Sequence, residues 1–164
     1  MNLRRIGRSL FGAAALLAAA TAVAAEPAPA RLPALQAETL AGDTLAPAEQ
    51  RGAITVLFLW SPESLASRKS IGELQRFHAA FSVRGVRTLA ISTLRDAERL
   101  RAYAADRQLQ FPMLMLGDHA LGPLPEQRLP ILYVLDRDGA IRAAHAGLFR
   151  LRDLERQVEA LLAP

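Results

Sequence analysis

The chain has 164 residues, of which 51% are hydrophobic and 22% charged, and it carries a net charge of +4 and no cysteine. This length suits one folded domain with its own core. Disulfide bonds, thiolate catalysis and thiol–disulfide exchange are all excluded, because each of them needs cysteine sulfur.

The first 25 residues have the pattern of a secretory signal peptide. Arg4, Arg5 and Arg8 precede an apolar run rich in Leu and Ala, and small residues permit cleavage after Ala24 or Ala25. The run is shorter than the roughly 20 residues of a spanning helix, so we expect no membrane span once the signal is removed. A signal kept as an anchor is the alternative. The predicted location is the periplasm or another exported compartment.

Most of the excess of basic over acidic residues lies in the predicted signal peptide. Residues 1–25 contain three of the 20 basic residues and none of the 16 acidic ones, so their removal lowers the net charge from +4 to +1. The remaining arginines are interspersed with acidic residues, as on a solvated surface. We therefore expect no nucleic-acid partner.

The rest of the sequence predicts a tether over residues 26–33 and one domain over residues 34–164. In chain order, the patterns indicate a hairpin at 35–45, a strand at 54–60, a helix after Pro62, a strand at 86–92, a helix from Asp96 to about Gln108, a short strand at 111–116, a loop at 117–129, a hairpin at 131–146 and a closing helix from Leu151.

Two patterns fix the expected fold class. The strand at 54–60 is apolar almost throughout, which is typical of a strand buried on both faces. Strands alternate with helices early, and a hairpin turning at Gly139 comes late. We therefore expect an α/β domain with a central mixed β-sheet, flanked by helices on both faces, and an N-terminal β-hairpin extension.

Several short motifs carry a resemblance to a known family. Trp60 ends the first long strand, Arg68-Lys69 and Glu73-Leu74 follow in the helix, and Leu129-Pro130 precedes the hairpin with its Asp136-Arg137-Asp138-Gly139 turn. Together they resemble the thioredoxin-fold, TlpA/ResA-like exported thiol-disulfide oxidoreductases, which are related to the AhpC/TSA redoxins. Ser64 and Ser67 stand at the two cysteines of the family's Cys-x-x-Cys motif. Glu63 replaces an aromatic residue, and Gly72 a helix proline.

The resemblance implies a thioredoxin-like fold, a cis Leu129-Pro130 peptide bond and a degenerate, redox-inactive site. It also implies a groove in which Leu129 offers its N–H and C=O to an extended client segment. The expected groove residues are Trp60, Glu63, Ser64, Leu65, Ser67, Leu129 and Pro130.

The role of Ser64 stays open between three interpretations. Ser64 or Ser67 can cap the helix that follows, because a serine hydroxyl accepts a hydrogen bond from a free N–H of the first turn. Ser64 can also be a polar contact in the groove. As a nucleophile in a non-thiol enzyme it would need a base within hydrogen-bond reach.

Metal binding is a further alternative. His119 and His145 with a carboxylate could form a site, and Met113 and Met115 near His119 could bind copper, although methionines that alternate along a short strand most often fill a core. We expect His78 to pack on the first helix rather than bind a ligand. The favoured prediction is a non-redox binding or adaptor protein for another exported protein, with no metal, no cofactor and no catalytic residue.

Overall fold

The structure is a computed structural model that describes residues 30–47 and 51–163. The predicted signal and residues 26–29 of the predicted tether lie outside the described residues. The strands are β1 (Leu35–Thr39), β2 (Thr44–Leu45), β3 (Thr55–Trp60), β4 (Arg87–Ser92), β5 (Met113–His119), β6 (Ile131–Leu135) and β7 (Ile141–Ala146). The helices are α1 (Leu65–Phe81), α2 (Ala97–Asp106) and α3 (Leu151–Leu162), with short 3-10 turns at Ser82–Arg84 and Glu126–Arg128.

The strands form one mixed seven-stranded sheet in the order β2-β1-β5-β4-β3-β6-β7. The central strands β3, β4 and β5 are parallel, whereas β1, β2, β6 and β7 pair antiparallel with their neighbours. The mixed sheet and both hairpins of the sequence analysis are confirmed. No helix among the described residues is long and apolar enough to cross a bilayer.

One face of the sheet carries all the buried helical side chains. Its core joins Phe58 and Trp60 of β3 to Leu74 of α1, Leu100 of α2 and Val158 of α3, each of which is essentially inaccessible to solvent. The helices therefore share one side of the sheet.

Among the described residues, the core on the opposite face contains no helical residue. Its buried strand residues are joined by Leu32, Leu121, Leu124 and Leu129 from non-helical segments. The expectation of helices on both faces is thus wrong. The steps from β3 to β4 and from β4 to β5 go in the same direction across the sheet, and right-handed crossovers in one direction place both helices on the same side.

Element boundaries differ slightly from the sequence expectation. Strand β5 runs from Met113 to His119. It therefore starts two residues later than predicted and includes residues 117–119, which were predicted as loop. Helix α2 begins after the cap of Asp96, whose carboxylate accepts from the Arg99 N–H at 3.0 Å, and it ends at Asp106 rather than near Gln108.

Candidate functional site

The sheet brings two distant segments together at one end. Strands β3 and β6 are antiparallel neighbours, with Leu59 opposite Ile131. The chain leaving β3 at Trp60 therefore lies beside the chain entering β6 through Pro130. The predicted site residues before α1 and before β6 consequently meet, although more than 60 positions separate Ser64 from Leu129.

Ser64 links these two segments through its side chain. Its hydroxyl donates to the Leu129 carbonyl at 3.0 Å and accepts from the Ser67 N–H at 3.3 Å. The second bond is the N-cap of α1, and Ser64 has the extended backbone of a capping residue, with φ −73° and ψ 121°. Only 7% of Ser64 is exposed. The capping interpretation is confirmed, and the bond to Leu129 adds a tertiary role to it.

The turn before α1 is held by a further set of short-range bonds. The Ser61 N–H donates to Ser67 Oγ at 3.3 Å, and the Glu63 N–H donates to Ser61 Oγ at 3.1 Å. One guanidinium nitrogen of Arg68 donates hydrogen bonds to the carbonyls of Pro62 and Glu63, at 2.8 and 3.0 Å. Ser67 itself is fully buried. The serines thus act as internal ties of the turn.

The backbone of Leu129 is already engaged within the chain. Its N–H donates to the Glu126 carbonyl at 3.1 Å, and its C=O accepts from Ser64. The Leu129-Pro130 peptide bond is cis, and the Pro130 carbonyl accepts from the Gly147 N–H at 2.7 Å. The expectation that Leu129 offers both polar groups to a client therefore needs correction, because its N–H is bonded within the chain and its C=O keeps only one lone pair beside the bond from Ser64.

Trp60 also differs from its expected place in a groove. It is fully buried in the helical-face core, its ring lies 5.1 Å from the Tyr103 ring, and its Nε1 has no hydrogen-bond partner. The Arg107 guanidinium covers the Tyr103 ring at 3.9 Å. Burial raises the pKa of Tyr103, and the positive charges of Arg107 and Arg68 oppose that rise. Trp60 supports the site from beneath and is not a contact surface.

The exposed part of the site is a rim around the serines. Leu65, the first residue of α1, is 57% exposed, although a large aliphatic side chain gains most when buried. A shallow depression of about 290 Å³ beside it is lined by Glu63, Ser64, Leu65, Ala66, Glu126, Gln127 and Leu129. We call this surface the serine rim.

The carboxylates of the serine rim differ in their partners. Glu63 forms an ion pair with Arg99 of α2 at 2.6 Å. Glu126 has no ion-pair partner among the described residues. The rim therefore combines one exposed aliphatic side chain with one unneutralised negative charge.

A second exposed aliphatic residue follows the segment that is bonded to Pro130. Leu148 is 58% exposed, and it follows Gly147, whose N–H is bonded to Pro130. Sequence reasoning missed Leu148, Glu126 and Gln127. A leucine directly after the glycine that follows a predicted strand was a usable signal for Leu148, whereas nothing in the local sequence marked Glu126 or Gln127.

A larger depression, of about 540 Å³, lies on the other side of the turn. Its lining residues are Pro62, Arg99, Ala102, Tyr103 and Asp106. It was not expected from the sequence, and the Glu63–Arg99 ion pair separates it from the serine rim.

The nucleophile alternative for Ser64 lacks its base. In the described part of the chain, both hydrogen bonds of the Ser64 hydroxyl involve backbone atoms, with Leu129 as acceptor and Ser67 as donor. No imidazole or carboxylate of residues 30–47 or 51–163 forms a hydrogen bond with this hydroxyl, and an activated serine requires such a base.

The residues considered for a metal site do not come together either. Met113 and Met115 pack in the helical-face core, whereas His119 is exposed at the end of β5. His145 is exposed on β7, where its Nε2 lies 2.7 Å from the Leu148 carbonyl. Within residues 30–47 and 51–163 there is no cluster of three His, Asp or Glu side chains that could hold a metal ion. His78 is half-buried on α1 against the Phe111 ring, and burial lowers its pKa.

Residues 29–144 match the AhpC/TSA family, and this match spans more than half of the chain. The protein belongs to the AhpC/TSA family. Its place among the thioredoxin-fold redoxins agrees with the resemblance found in the sequence, and the missing cysteines make it a member with a degenerate motif. None of the curated proteins matches the sequence.

Solved structures similar to this AhpC/TSA member have the same fold. A thiol:disulfide interchange protein of the thioredoxin family from Chlorobium tepidum is 17% identical, with a TM-score of 0.68 over 85% of this chain and 100% of that one. A secreted thiol-disulfide isomerase from Corynebacterium glutamicum is 19% identical, with a TM-score of 0.68 over 80% and 84%. A secreted disulfide oxidoreductase from Mycobacterium tuberculosis is 21% identical, with a TM-score of 0.62 over 77% and 95%. At these identities the likeness establishes the thioredoxin-like fold.

Proposed function

We infer that this protein is an exported, non-redox binding protein that holds a segment of another exported protein on the serine rim. The observation that carries the proposal is the contrast at the start of α1. Ser64 is locked inside by two hydrogen bonds, while its neighbour Leu65 stands 57% exposed beside an open depression.

Export is supported by the signal pattern of residues 1–25 and by neighbours described as secreted proteins. A binding role without redox chemistry is supported by the fold of the thiol-disulfide proteins combined with a chain that has no cysteine. The pure protein is accordingly expected to give no reduction of insulin disulfides.

The chemistry of the rim defines the segment that fits it. Leu65 offers apolar contact, and Glu126 offers a negative charge free of an ion-pair partner among the described residues. The partner segment is therefore an extended one with an apolar side chain next to a lysine or arginine. Because the Leu129 N–H is already bonded within the chain, contact comes from side chains rather than from an added strand, which would need that N–H.

Photo-crosslinking from the rim tests the proposal. Benzoylphenylalanine is placed at Leu65 in the full chain, expressed in the source cells, and adducts are identified by mass spectrometry. Val83 gives a matched control, because it is 85% exposed in the 3-10 turn that follows α1, at the far end of that helix and about 25 Å from Leu65. A discrete exported protein crosslinked from Leu65 and not from Val83 is the expected result.

The crosslinked protein is then purified and its affinity measured. Leu65→Asp and Glu126→Arg are expected to weaken binding about tenfold or more, whereas Val83→Asp leaves it unchanged. Equal crosslinking from both positions, or an affinity that neither rim substitution alters, would sink the proposal.

A further inference from the structure

The large depression beside α2 carries polar groups that the proposed function does not use. Its volume of about 540 Å³ lies within the range of sites for small ligands. Four of its lining residues, Arg99, Ala102, Tyr103 and Asp106, have the i, i+3, i+4, i+7 spacing of one helix face. Pro62, from the turn before α1, completes the lining. One face of α2 and one turn therefore build this depression.

Two buried donors lie at or beside this depression. Tyr103 Oη and Trp60 Nε1 are both shielded from solvent, and neither has a hydrogen-bond partner among residues 30–47 and 51–163. Their rings lie 5.1 Å apart, at an angle of 48°. A buried donor without an acceptor destabilises a fold, so such groups need an explanation. The adjoining depression allows the acceptor to come from a ligand.

The charges around Tyr103 favour an anionic acceptor. Burial raises the pKa of Tyr103, so its hydroxyl keeps its proton at neutral pH and can donate it in a hydrogen bond. The charges that oppose this rise of the pKa are those of Arg107 and Arg68, and both are positive. Asp106, the one carboxylate of the lining, is paired with Arg107 at 2.9 Å. A neutral donor close to guanidinium groups attracts a negatively charged acceptor.

Arg99 places a cation in the lining itself. Its Nη2 lies 2.6 Å from a carboxylate oxygen of Glu63, and its side chain is about half exposed. A guanidinium carries five N–H donors in a planar fork, so further donors remain for a second carboxylate. Pro62 and Ala102 add apolar surface to the lining. The lining thus combines a cation with apolar contact.

We propose that this depression binds a small organic carboxylate with an apolar body. The carboxylate lies between the Arg99 guanidinium and the Tyr103 hydroxyl, and the apolar body packs on the remaining surface of the lining. Within the described part of the chain, no hydrogen bond of its hydroxyl holds the Tyr103 side chain in place. A turn of this side chain therefore brings Trp60 Nε1 within reach of the ligand. The lining residues of this depression and of the serine rim do not overlap, so the proposal is independent of the proposed function.

The single tryptophan gives a direct readout of binding. Because the sequence contains one Trp, the indole N–H signal in NMR and the tryptophan fluorescence both come from Trp60. Benzoate is the probe, with benzamide as its neutral counterpart and inorganic phosphate as an anion without an apolar body. Benzoate is expected to shift the Trp60 signal saturably, and the other two compounds are expected to bind at least about tenfold more weakly.

Two substitutions locate the bound probe. Arg99→Gln removes the charge and Tyr103→Phe removes the hydroxyl but keeps the ring, so each is expected to weaken benzoate binding about tenfold. Tyr103→Phe should remain folded, since its hydroxyl has no partner to lose among the described residues. Arg152→Gln on α3 and Tyr133→Phe on β6 are the matched controls and should leave the affinity unchanged, because neither residue lines the depression.

Three results would overturn the carboxylate site. The first is a Trp60 signal that benzoate leaves in place up to about 10 mM. The second is binding of benzamide or phosphate as tight as that of benzoate. The third is an affinity that neither Arg99→Gln nor Tyr103→Phe lowers in protein that circular dichroism shows to be folded. Leu65→Asp on the serine rim should leave benzoate binding unchanged, so a failure of the proposed function would be distinguishable from a failure of this site.

Discussion

The interior and the exterior of the turn before α1 have opposite properties. Inside, Trp60 and Ser67 are fully buried and Ser64 holds two hydrogen bonds. Outside, Leu65 is 57% exposed beside an open depression. The difference shows that a site without thiols keeps its framework through hydroxyl-to-backbone bonds. Under the proposed function, the rim is the surface that contacts the partner. Substitutions on the two sides should therefore separate stability from binding.

The largest expected effect is at the base of the turn. Trp60→Ala should lower the free energy of unfolding by about 3–5 kcal/mol, because it leaves a large cavity in the core. Trp60→Phe should cost clearly less, since Trp60 Nε1 has no hydrogen-bond partner to lose. Urea unfolding followed by circular dichroism measures both, and an alanine variant within 1 kcal/mol of the unchanged protein would contradict the buried role.

The two serines should differ from each other. Ser64→Ala loses the helix cap and the bond to Leu129, which should cost about 1–2 kcal/mol of stability. Ser67→Ala loses only the acceptor for the Ser61 N–H and should cost about 1 kcal/mol. The same urea titrations rank them. If Ser67→Ala were the more damaging, the tie between Ser64 and Leu129 would be unimportant.

A partly buried carboxylate lies away from the rim, at Asp136, and gives the protein a pH-dependent contribution to stability. Burial by itself would raise the pKa of Asp136, but hydrogen bonds from the Ala140 N–H, Arg142 and the Asp138 N–H outweigh it and lower that pKa below 3.8. A carboxyl group with a lowered folded-state pKa stabilises the protein above its ordinary pKa, and this contribution is lost as the pH falls through the folded-state value.

Asp136→Asn should therefore be less stable than the unchanged protein at neutral pH. The gap should narrow as the pH drops below 3.8. Unfolding free energies measured across pH 2–7 would check this, and a gap that stays constant would mean that the charge of Asp136 contributes nothing.

The smallest stability effect is expected on the rim itself. Leu65→Ala should change the free energy of unfolding by less than about 0.5 kcal/mol, as is usual for exposed positions. Val83→Ala is the control, with a similarly small change. A loss above 1 kcal/mol at Leu65 would show that the leucine is part of the core and not free for a partner.

Much of the fold followed from the sequence because its signals are local. The continuous apolar run of β3, the Asp-Gly turn between β6 and β7, and the cap residues of α1 and α2 each depend on a few neighbouring side chains. The placement of all three helices on one face depends on strand order, which no local pattern encodes.

The site, like the fold, has features that the local sequence predicts and features that depend on distant contacts. The sequence predicted that Ser64 or Ser67 caps α1, because a cap involves only the next turn of helix, and the structure shows that Ser64 does so. Its bond to Leu129 spans 65 positions, and the burial of Trp60 depends on contacts with α2. Sequence reasoning therefore found the residues that meet at the site but not which of them face solvent.

The face of the sheet without helices affects how proteases would degrade the protein. Its leucine-rich surface is covered by Leu32 near the start of the domain and by Leu121, Leu124 and Leu129, all in segments with few backbone bonds of their own. Such segments open at lower free energy than packed helices. A protease that trims the chain past Leu32 would uncover aliphatic strands, and the fragment would then tend to aggregate. Cleavage at the start of the domain is therefore expected to begin the degradation of the protein.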